Sequence, residues 1–216
     1  MAKSRKKAAD RPATDAVERR AVLEPLEFRE SDDGATISGY AAVFNKETTI
    51  GGMWGWREVI APGAFDEAVD RDDVRALFNH DPNMLLGRTL SETLALSVDS
   101  RGLKYEVMLP DTANARDVRT LIKRGDVSGS SFAFRVEADE WDEKPTKEGK
   151  LPLRTITKVE LFDVSPVTYP AYPQTSVTAR STAQRVAEGA VRDTAAMAAR
   201  DAARQAVERA KAWRTA

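Results

Sequence analysis

The stretch that organises this chain lies in its second half and reads Gly125-Asp126-Val127-Ser128-Gly129-Ser130-Ser131-Phe132-Ala133-Phe134. Small residues and serines stand directly before an apolar run that alternates with a period of two, which is the pattern of a β-strand. Phe132 and Phe134 would share one face of this strand with Ser130, whereas Ser131 would lie on the other face. A hydroxyl held at the start of a strand can act as a nucleophile, although serines in such a place are more commonly turn formers.

A serine nucleophile needs a base, and the chain contains a single histidine, His80. It follows an apolar segment that predicts a strand, within the turn-like sequence Asn79-His80-Asp81-Pro82. A lone histidine at a turn is more commonly structural, and a metal site is not expected because there is no second histidine and no cysteine. Asp163, near the end of a predicted strand over residues 153–164, is the candidate acid. Sequence spacing leaves the geometry of these three residues open.

The composition limits the classes of protein to which the chain can belong. With 216 residues, of which 42% are hydrophobic and 31% are charged, the chain can form one domain with a substantial core, together with extensions. The 33 basic residues nearly balance the 34 acidic ones, so no overall field favours nucleic acid or a membrane. The absence of cysteine excludes disulfides and thiolate catalysis. No apolar run approaches the length of a membrane span and no secretory signal follows the basic N-terminus, so a soluble cytoplasmic protein is expected.

The order of predicted elements indicates a mainly β protein with helices. About eight or nine short strands and two short helices are predicted, a pattern typical of a closed or nearly closed β-barrel with helical insertions. We predict three regions: a flexible basic arm at 1–22, the β-barrel domain at 23–177, and a helical C-terminal extension at 178–216. The apolar stripe of the extension is thin and mostly alanine, so a docking or removable element is expected there.

Several local patterns carry further expectations. A first helix is predicted to open at Ala61-Pro62 and to run to about Val69, and a second to span 113–123, ended by Gly125. A charged surface loop is expected at 139–150. The prolines of residues 165–175 predict an extended segment without regular structure. The loop at 51–56 contains two tryptophans, which would pack on the body of the domain or, alternatively, form a flap over a substrate groove.

Six short motifs occur in a characteristic order along the chain. They are Gly39-Tyr40-Ala41-Ala42-Val43-Phe44, Ile60-Ala61-Pro62-Gly63-Ala64-Phe65, Asn79-His80-Asp81-Pro82, Leu86-Gly87-Arg88-Thr89, Gly125-Asp126 with Ser130-Ser131-Phe132-Ala133-Phe134, and Asp163-Val164-Ser165-Pro166-Val167-Thr168-Tyr169-Pro170-Ala171-Tyr172-Pro173. No single motif is specific, but the ordered series resembles the prohead (procapsid) maturation protease family of tailed bacteriophages. The resemblance covers about residues 25–177, and the C-terminal tail lies outside it.

This resemblance implies a β-barrel serine protease related in fold to the herpesvirus assemblins. By position in the motifs, His80 matches the general base, Ser131 the nucleophile, and Asp163 an acidic position that would be the third member of a triad. Asp163 would orient and polarise His80, with Val159 and Leu161 on its strand face and Glu160 as the competing carboxylate on the other. Backbone N–H groups are the expected oxyanion donors, and Arg88 is a further candidate helper.

The family usually has glycine where this chain has Ala133, a departure of one methyl group.

The resemblance also implies substrates, partners and a location. A family member would cleave scaffold and capsid-protein segments, and often itself, inside the immature procapsid in the host cytoplasm. The major capsid protein and the scaffold segments are then the expected partners. We expect a homo-oligomer, with a dimer as one option, and neither a membrane nor a specific nucleic acid as a partner. No cofactor is expected.

Two other functions fit the residues less well. In a non-catalytic scaffold or assembly factor, the charged arm and tail would be the functional parts, and His80 and Ser131 would be incidental. Another serine hydrolase, such as an esterase, would normally have Gly-x-Ser-x-Gly at a turn from strand to helix. Here Gly129-Ser130-Ser131 is followed by a strand pattern.

Overall fold

The computed structural model describes residues 15–31, 34–52, 55–142 and 151–170, which form eleven strands and two helices. The strands are β1 (Glu18–Val22), β2 (Glu27–Ser31), β3 (Gly34–Val43), β4 (Thr48–Ile50), β5 (Trp56–Ile60), β6 (Arg75–Phe78), β7 (Asp81–Arg88), β8 (Leu94–Val98), β9 (Gly102–Met108), β10 (Gly129–Asp142) and β11 (Leu153–Val167). The helices are α1 (Ala68–Arg71) and α2 (Ala113–Arg124), and a 3-10 turn spans Thr89–Ser91. The protein is therefore mainly β with few helices, as predicted.

The strands form two sheets. A seven-stranded sheet has the order β1-β10-β11-β5-β4, and β6 and β7 branch from it; a four-stranded sheet has the order β2-β3-β9-β8. The branch arises because β11 is long: its first residues pair in parallel with β5, and Asp163 and Val164 pair in parallel with β6. The two ends of β11 therefore pair with different strands of the same sheet. Within the described residues neither sheet closes on itself, so the predicted closed or nearly closed barrel is not confirmed.

The core lies against the phenylalanine face of β10. Phe132 stacks on Phe134 with ring centroids 4.7 Å apart, and Phe65 meets Phe132 edge-on at 5.5 Å. From the four-stranded sheet, β9 contributes Tyr105 and Val107, which are buried between exposed or half-buried neighbours in the alternation expected of a strand. This packing holds the Ser131 strand rigidly by one of its faces.

The second helix is confirmed and the first is largely wrong. In α2 the Thr112 side chain accepts a hydrogen bond from the backbone N–H of Ala115, and Gly125 ends the helix with a φ of 82°. The predicted helix from Ala61 is replaced by successive turns, and only Ala68–Arg71 is helical. Gly63, with a φ of 91°, interrupts the helical path.

Three boundaries also differ from the sequence prediction. The predicted arm reached residue 22, but Glu18–Val22 forms β1 because it pairs in an antiparallel manner with β10. β10 continues to Asp142, into the predicted charged loop, because it remains paired with β11. β11 continues through Pro166 to Val167, where the missing N–H of the proline is tolerated and its carbonyl accepts from Asn79. Residues 1–14, 143–150 and the predicted helical extension at 178–216 lie outside the described residues.

Candidate active site

The register of β10 and β11 brings several polar side chains onto one face of the large sheet. Ser131 lies opposite Ser165, and Ala133 lies opposite Asp163. Directly opposed residues of an antiparallel pair point to the same side, so Ser131, Asp163 and Ser165 share a face. This face is the one turned away from the phenylalanine core.

The other serine of the pair faces the core, as the alternation predicted. The Ser130 hydroxyl lies 2.9 Å from the Tyr105 hydroxyl, and both residues are fully buried. Burial raises the pKa of Tyr105, although the hydrogen bond with Ser130 opposes this. Ser130 is therefore a packed core residue, held by its own polar partner.

A β-bulge decides where Asp163 points. Ala133 pairs with Asp163, but the next residue, Phe134, pairs with Leu161, so Phe162 is the extra residue of β11. Leu161 therefore lies on the core side, whereas Asp163, two residues later, lies on the serine side. The prediction that Val159 and Leu161 share the face of Asp163 is wrong, because it assumed an unbroken alternation.

His80 lies in a two-residue hairpin turn between β6 and β7. Phe78 pairs with Asp81, and Asn79 and His80 both have positive φ angles, 55° and 58°, as a type I′ turn requires. The turn is tied to the end of β11: the Asn79 N–H donates to the Pro166 carbonyl at 3.0 Å, and the Asn79 side-chain oxygen accepts from the N–H of Thr168 at 2.9 Å. These contacts explain why an Asn-His turn and a Ser-Pro-Val-Thr strand end occur together in the sequence.

The imidazole of His80 bridges the two other predicted residues. Its Nδ1 lies 2.6 Å from Asp163 Oδ1, and its Nε2 lies 2.7 Å from Ser131 Oγ. The side chains of His80 and Asp163 are only 11% and 10% exposed. A carboxylate on Nδ1 selects the tautomer that carries its proton there, which leaves Nε2 free to accept the proton of the serine. The structure thus brings all three predicted site residues together.

Ser165 is a fourth member of this cluster. Its hydroxyl donates to Asp163 Oδ1 at 2.9 Å, and it accepts from the backbone N–H of His80 at 3.3 Å. Ser165 is fully buried, so neither bond competes with water. The residue holds the carboxylate and the strained histidine turn in a fixed relation.

The sequence matches the model of a known protein family. A family model described as "Caudovirus prohead serine protease" matches residues 24–189 of the chain. The chain belongs to this family. The resemblance seen in the six motifs is therefore confirmed for the prohead proteases of tailed phages.

A solved structure similar to this prohead protease is that of the bacteriophage T4 capsid assembly protease, gp21. The two are 11% identical, with a TM-score of 0.49, over 71% of this chain and 98% of that chain. The search of curated proteins found no match. Among the described residues, no helix is long and apolar enough to cross a membrane.

The N-terminal strand contributes a further contact at the nucleophile. The backbone carbonyl of Arg20, in β1, lies 2.8 Å from Ser131 Oγ, within hydrogen-bond distance of the same hydroxyl that faces His80. One hydroxyl proton can serve only one of these two acceptors at a time. Ser131 is only 4% exposed.

A buried network of charges fastens β1 to the sheet. The Arg20 guanidinium bonds both oxygens of Glu58 in β5, at 2.5 and 2.9 Å, and also Glu18. Arg154 in β11 bonds Glu18 at 3.0 Å, Glu58 at 3.3 Å and Asp139 at 2.6 Å. Burial alone would lower the pKa of Arg20 and raise that of Glu58. Their mutual attraction and hydrogen bonds, together with those of their other partners in the network, outweigh burial, so that the pKa of Arg20 is raised and that of Glu58 is lowered.

The remaining residues singled out in the sequence lie elsewhere. Glu160, the competing carboxylate, forms an ion pair with Arg135 at 2.8 Å. Arg88 forms a two-point ion pair with Asp73, and within the described residues no hydrogen bond joins it to the His80 cluster. Trp56 packs on Trp141 with ring centroids 5.7 Å apart, which favours the packing interpretation of its loop. The other tryptophan of that loop lies outside the described residues.

Sequence reasoning missed Ser165 and the whole contribution of β1. A signal for Ser165 was present, because it stands two residues after Asp163, directly beyond the predicted strand, and would share the face of Asp163 if that strand continued. For β1 there was no comparable signal, because its charged residues looked like part of a solvated arm.

Proposed function

We propose that the protein is a serine endopeptidase of procapsid maturation, with Ser131 as the nucleophile, His80 as the general base and Asp163 as the third member of the triad. The observation that carries the proposal is the His80 ring between the other two side chains, at 2.7 Å from Ser131 Oγ and 2.6 Å from Asp163 Oδ1. Both distances are within the reach required for proton transfer and for orientation of the base.

The chemistry follows from the protonation of the imidazole. Neutral His80 takes the proton of Ser131 as its oxygen attacks the carbonyl carbon of the substrate. The imidazolium is stabilised by the Asp163 carboxylate and then gives the proton to the leaving amine. Water repeats the sequence to release the acyl group. Ser165 keeps the carboxylate aligned by donating to the oxygen that faces the ring.

The proposed substrates are scaffold and capsid-protein segments of the immature procapsid, and the chain itself is a further substrate. Membership of the prohead serine protease family supports this assignment and a location inside the procapsid in the host cell. It follows that the major capsid protein and the scaffold are the principal partners.

Incubation with the capsid protein of the same phage tests the proposal. The purified protease should produce defined new termini, which sequencing identifies, and Ser131→Ala should abolish them. A fluorophosphonate should label Ser131, and mass spectrometry of the labelled peptide distinguishes Ser131 from its neighbour Ser130. No labelling and no cleavage would leave a non-catalytic assembly factor, whereas turnover restricted to small esters would indicate another hydrolase.

A further inference from the structure

The strand position beside Ser131 is the feature from which a new inference can be drawn. The nucleophile strand β10 has two neighbours: β11, which carries Asp163, and β1, whose Ala21 lies directly opposite Ser131. Proteases commonly bind extended peptides as an added strand, through backbone hydrogen bonds to the edge of a sheet. Of the two neighbours of Ser131, only β1 could give way to a peptide without removing Asp163.

The peptide group that follows Arg20 lies against the nucleophile but is turned the wrong way for reaction. Its carbonyl oxygen, rather than its carbon, is the atom within 2.8 Å of Ser131 Oγ. Attack requires the hydroxyl to approach the carbon while the oxygen points towards separate donors. In this arrangement β1 occupies the site without being a substrate, and Ser131 is left 4% exposed.

On the face turned away from Ser131, ion pairs of its charged side chains hold β1 in place. Glu18 and Arg20 point to the side opposite Ser131, where Arg20 binds Glu58 and Glu18 binds Arg154. Arg154 in turn binds Asp139. Without β1, the carboxylates of Glu58 and Asp139 and the guanidinium of Arg154 would remain at this position, with an excess of negative charge. This negatively charged position would favour an incoming strand with a basic residue at the place of Arg20. β1 also precedes residue 24, where the match to the family begins.

We propose that the strand position now held by β1 is the peptide-binding position of this protease, and that β1 blocks it within its own chain. The position prefers peptides that carry arginine at the place of Arg20, which is the neighbour of the residue opposite Ser131. This inference rests on the proposed function, because it takes Ser131 to be the nucleophile. Its substrate class is an extended peptide with an acidic residue two places before the arginine.

A peptide-binding experiment tests the inference independently of catalysis. The probe is a fluorescent peptide with the sequence of residues 15–24, and its control is the same peptide with the residues of positions 18 and 20 exchanged. The protein variant is Glu18→Gln/Arg20→Gln in the full chain, which weakens the docking of β1. Its matched control is Glu27→Gln/Arg29→Gln, an exposed Glu-x-Arg pair on β2.

The double variant in β1 should bind the peptide at least about tenfold more tightly than the wild type, because the anchors it loses are charged hydrogen bonds. The control variant should bind like the wild type, and the exchanged peptide should bind to neither. In parallel, fluorophosphonate labelling of Ser131 should be about tenfold faster in the double variant and should slow when the peptide is added. Glu18→Gln alone, which keeps Arg20 paired with Glu58, is the milder variant if the double variant does not fold.

Three results would overturn the inference. The first is equal binding of the peptide by the wild type and by the folded β1 variants, and the second is equal binding of the two peptides by the protein. The third is cleavage of the wild-type chain between Arg20 and Ala21, which would make β1 a substrate. Peptide binding as expected, without any labelling of Ser131, would instead contradict the proposed function and leave the strand position assigned.

Discussion

Replacement of Asp163 by asparagine should cut turnover by about 10² to 10⁴-fold while leaving the fold intact. The asparagine side chain has the shape of aspartate but lacks its charge, so the 2.6 Å contact with His80 Nδ1 can no longer stabilise the imidazolium. The upper figure corresponds to about 5 kcal/mol of transition-state stabilisation, at about 1.4 kcal/mol per factor of ten.

The orientation of the new amide decides where in this range the loss falls. Ser165 donates to Asp163 Oδ1, the oxygen that also faces His80. If the amide oxygen takes that place, His80 keeps its proton on Nδ1 and only the charge is lost, so the loss lies near the lower figure. If the amide nitrogen takes it, the proton moves to Nε2, His80 can no longer accept from Ser131, and the loss approaches the higher figure.

Both the rate and the tautomer can be measured. His80 is the only histidine in the chain, so the ¹⁵N resonances of histidine report its ring alone and show which nitrogen carries the proton. Glu160→Gln is the matched control: it makes the same chemical change on the same strand, at a carboxylate paired with Arg135. Turnover of the Asp163→Asn protein within about threefold of the wild type, or a larger loss in Glu160→Gln, would refute the reasoning.

Three further predictions follow from single contacts. Ser130→Ala should leave the buried hydroxyl of Tyr105 without its partner and lower the free energy of unfolding by about 1–3 kcal/mol in urea titrations. The control Ser128→Ala, at an exposed position, should leave the free energy of unfolding unchanged, and the double change Ser130→Ala/Tyr105→Phe should recover part of the loss. Ser165→Ala should lower kcat with KM nearly unchanged and should alter the ¹⁵N resonances of the histidine, and Ser165→Thr should restore part of the rate; a change in KM alone would contradict a positioning role. The pKa of Glu58 is lowered in the folded protein, so the contribution of Glu58 to stability is complete above its ordinary pKa of 4.5 and is lost as the pH falls through the lower folded value. In that acid range the amides of β1 should lose hydrogen-exchange protection before those of α2.

The parts of the site that sequence could predict are those that depend on regular local structure. β10 keeps strict alternation from Gly129 to Phe134, so the assignment of Ser130 to the core and of Ser131 to the opposite face is confirmed. The position of His80 at a strand end was predictable because Asn79-His80 has the composition of a tight turn. Closure of the sheets into a barrel could not be predicted in this way, because closure depends on which distant strands pair, and no local pattern determines that pairing.

Where prediction failed, a single feature of the tertiary structure had overridden the local sequence pattern. One extra residue at Phe162 reverses the face of Asp163 relative to Leu161, and without it the carboxylate would point into the core, away from His80. The failure at β1 has a different origin: Glu18 and Arg20 are indistinguishable in sequence from solvated charges, and they are half-buried only because Glu58 and Arg154 come to meet them from strands far along the chain. The same pairing lays the Arg20 carbonyl against Ser131. The strand least visible in the sequence is therefore the one that controls access to the nucleophile, in the arrangement that the peptide experiment tests.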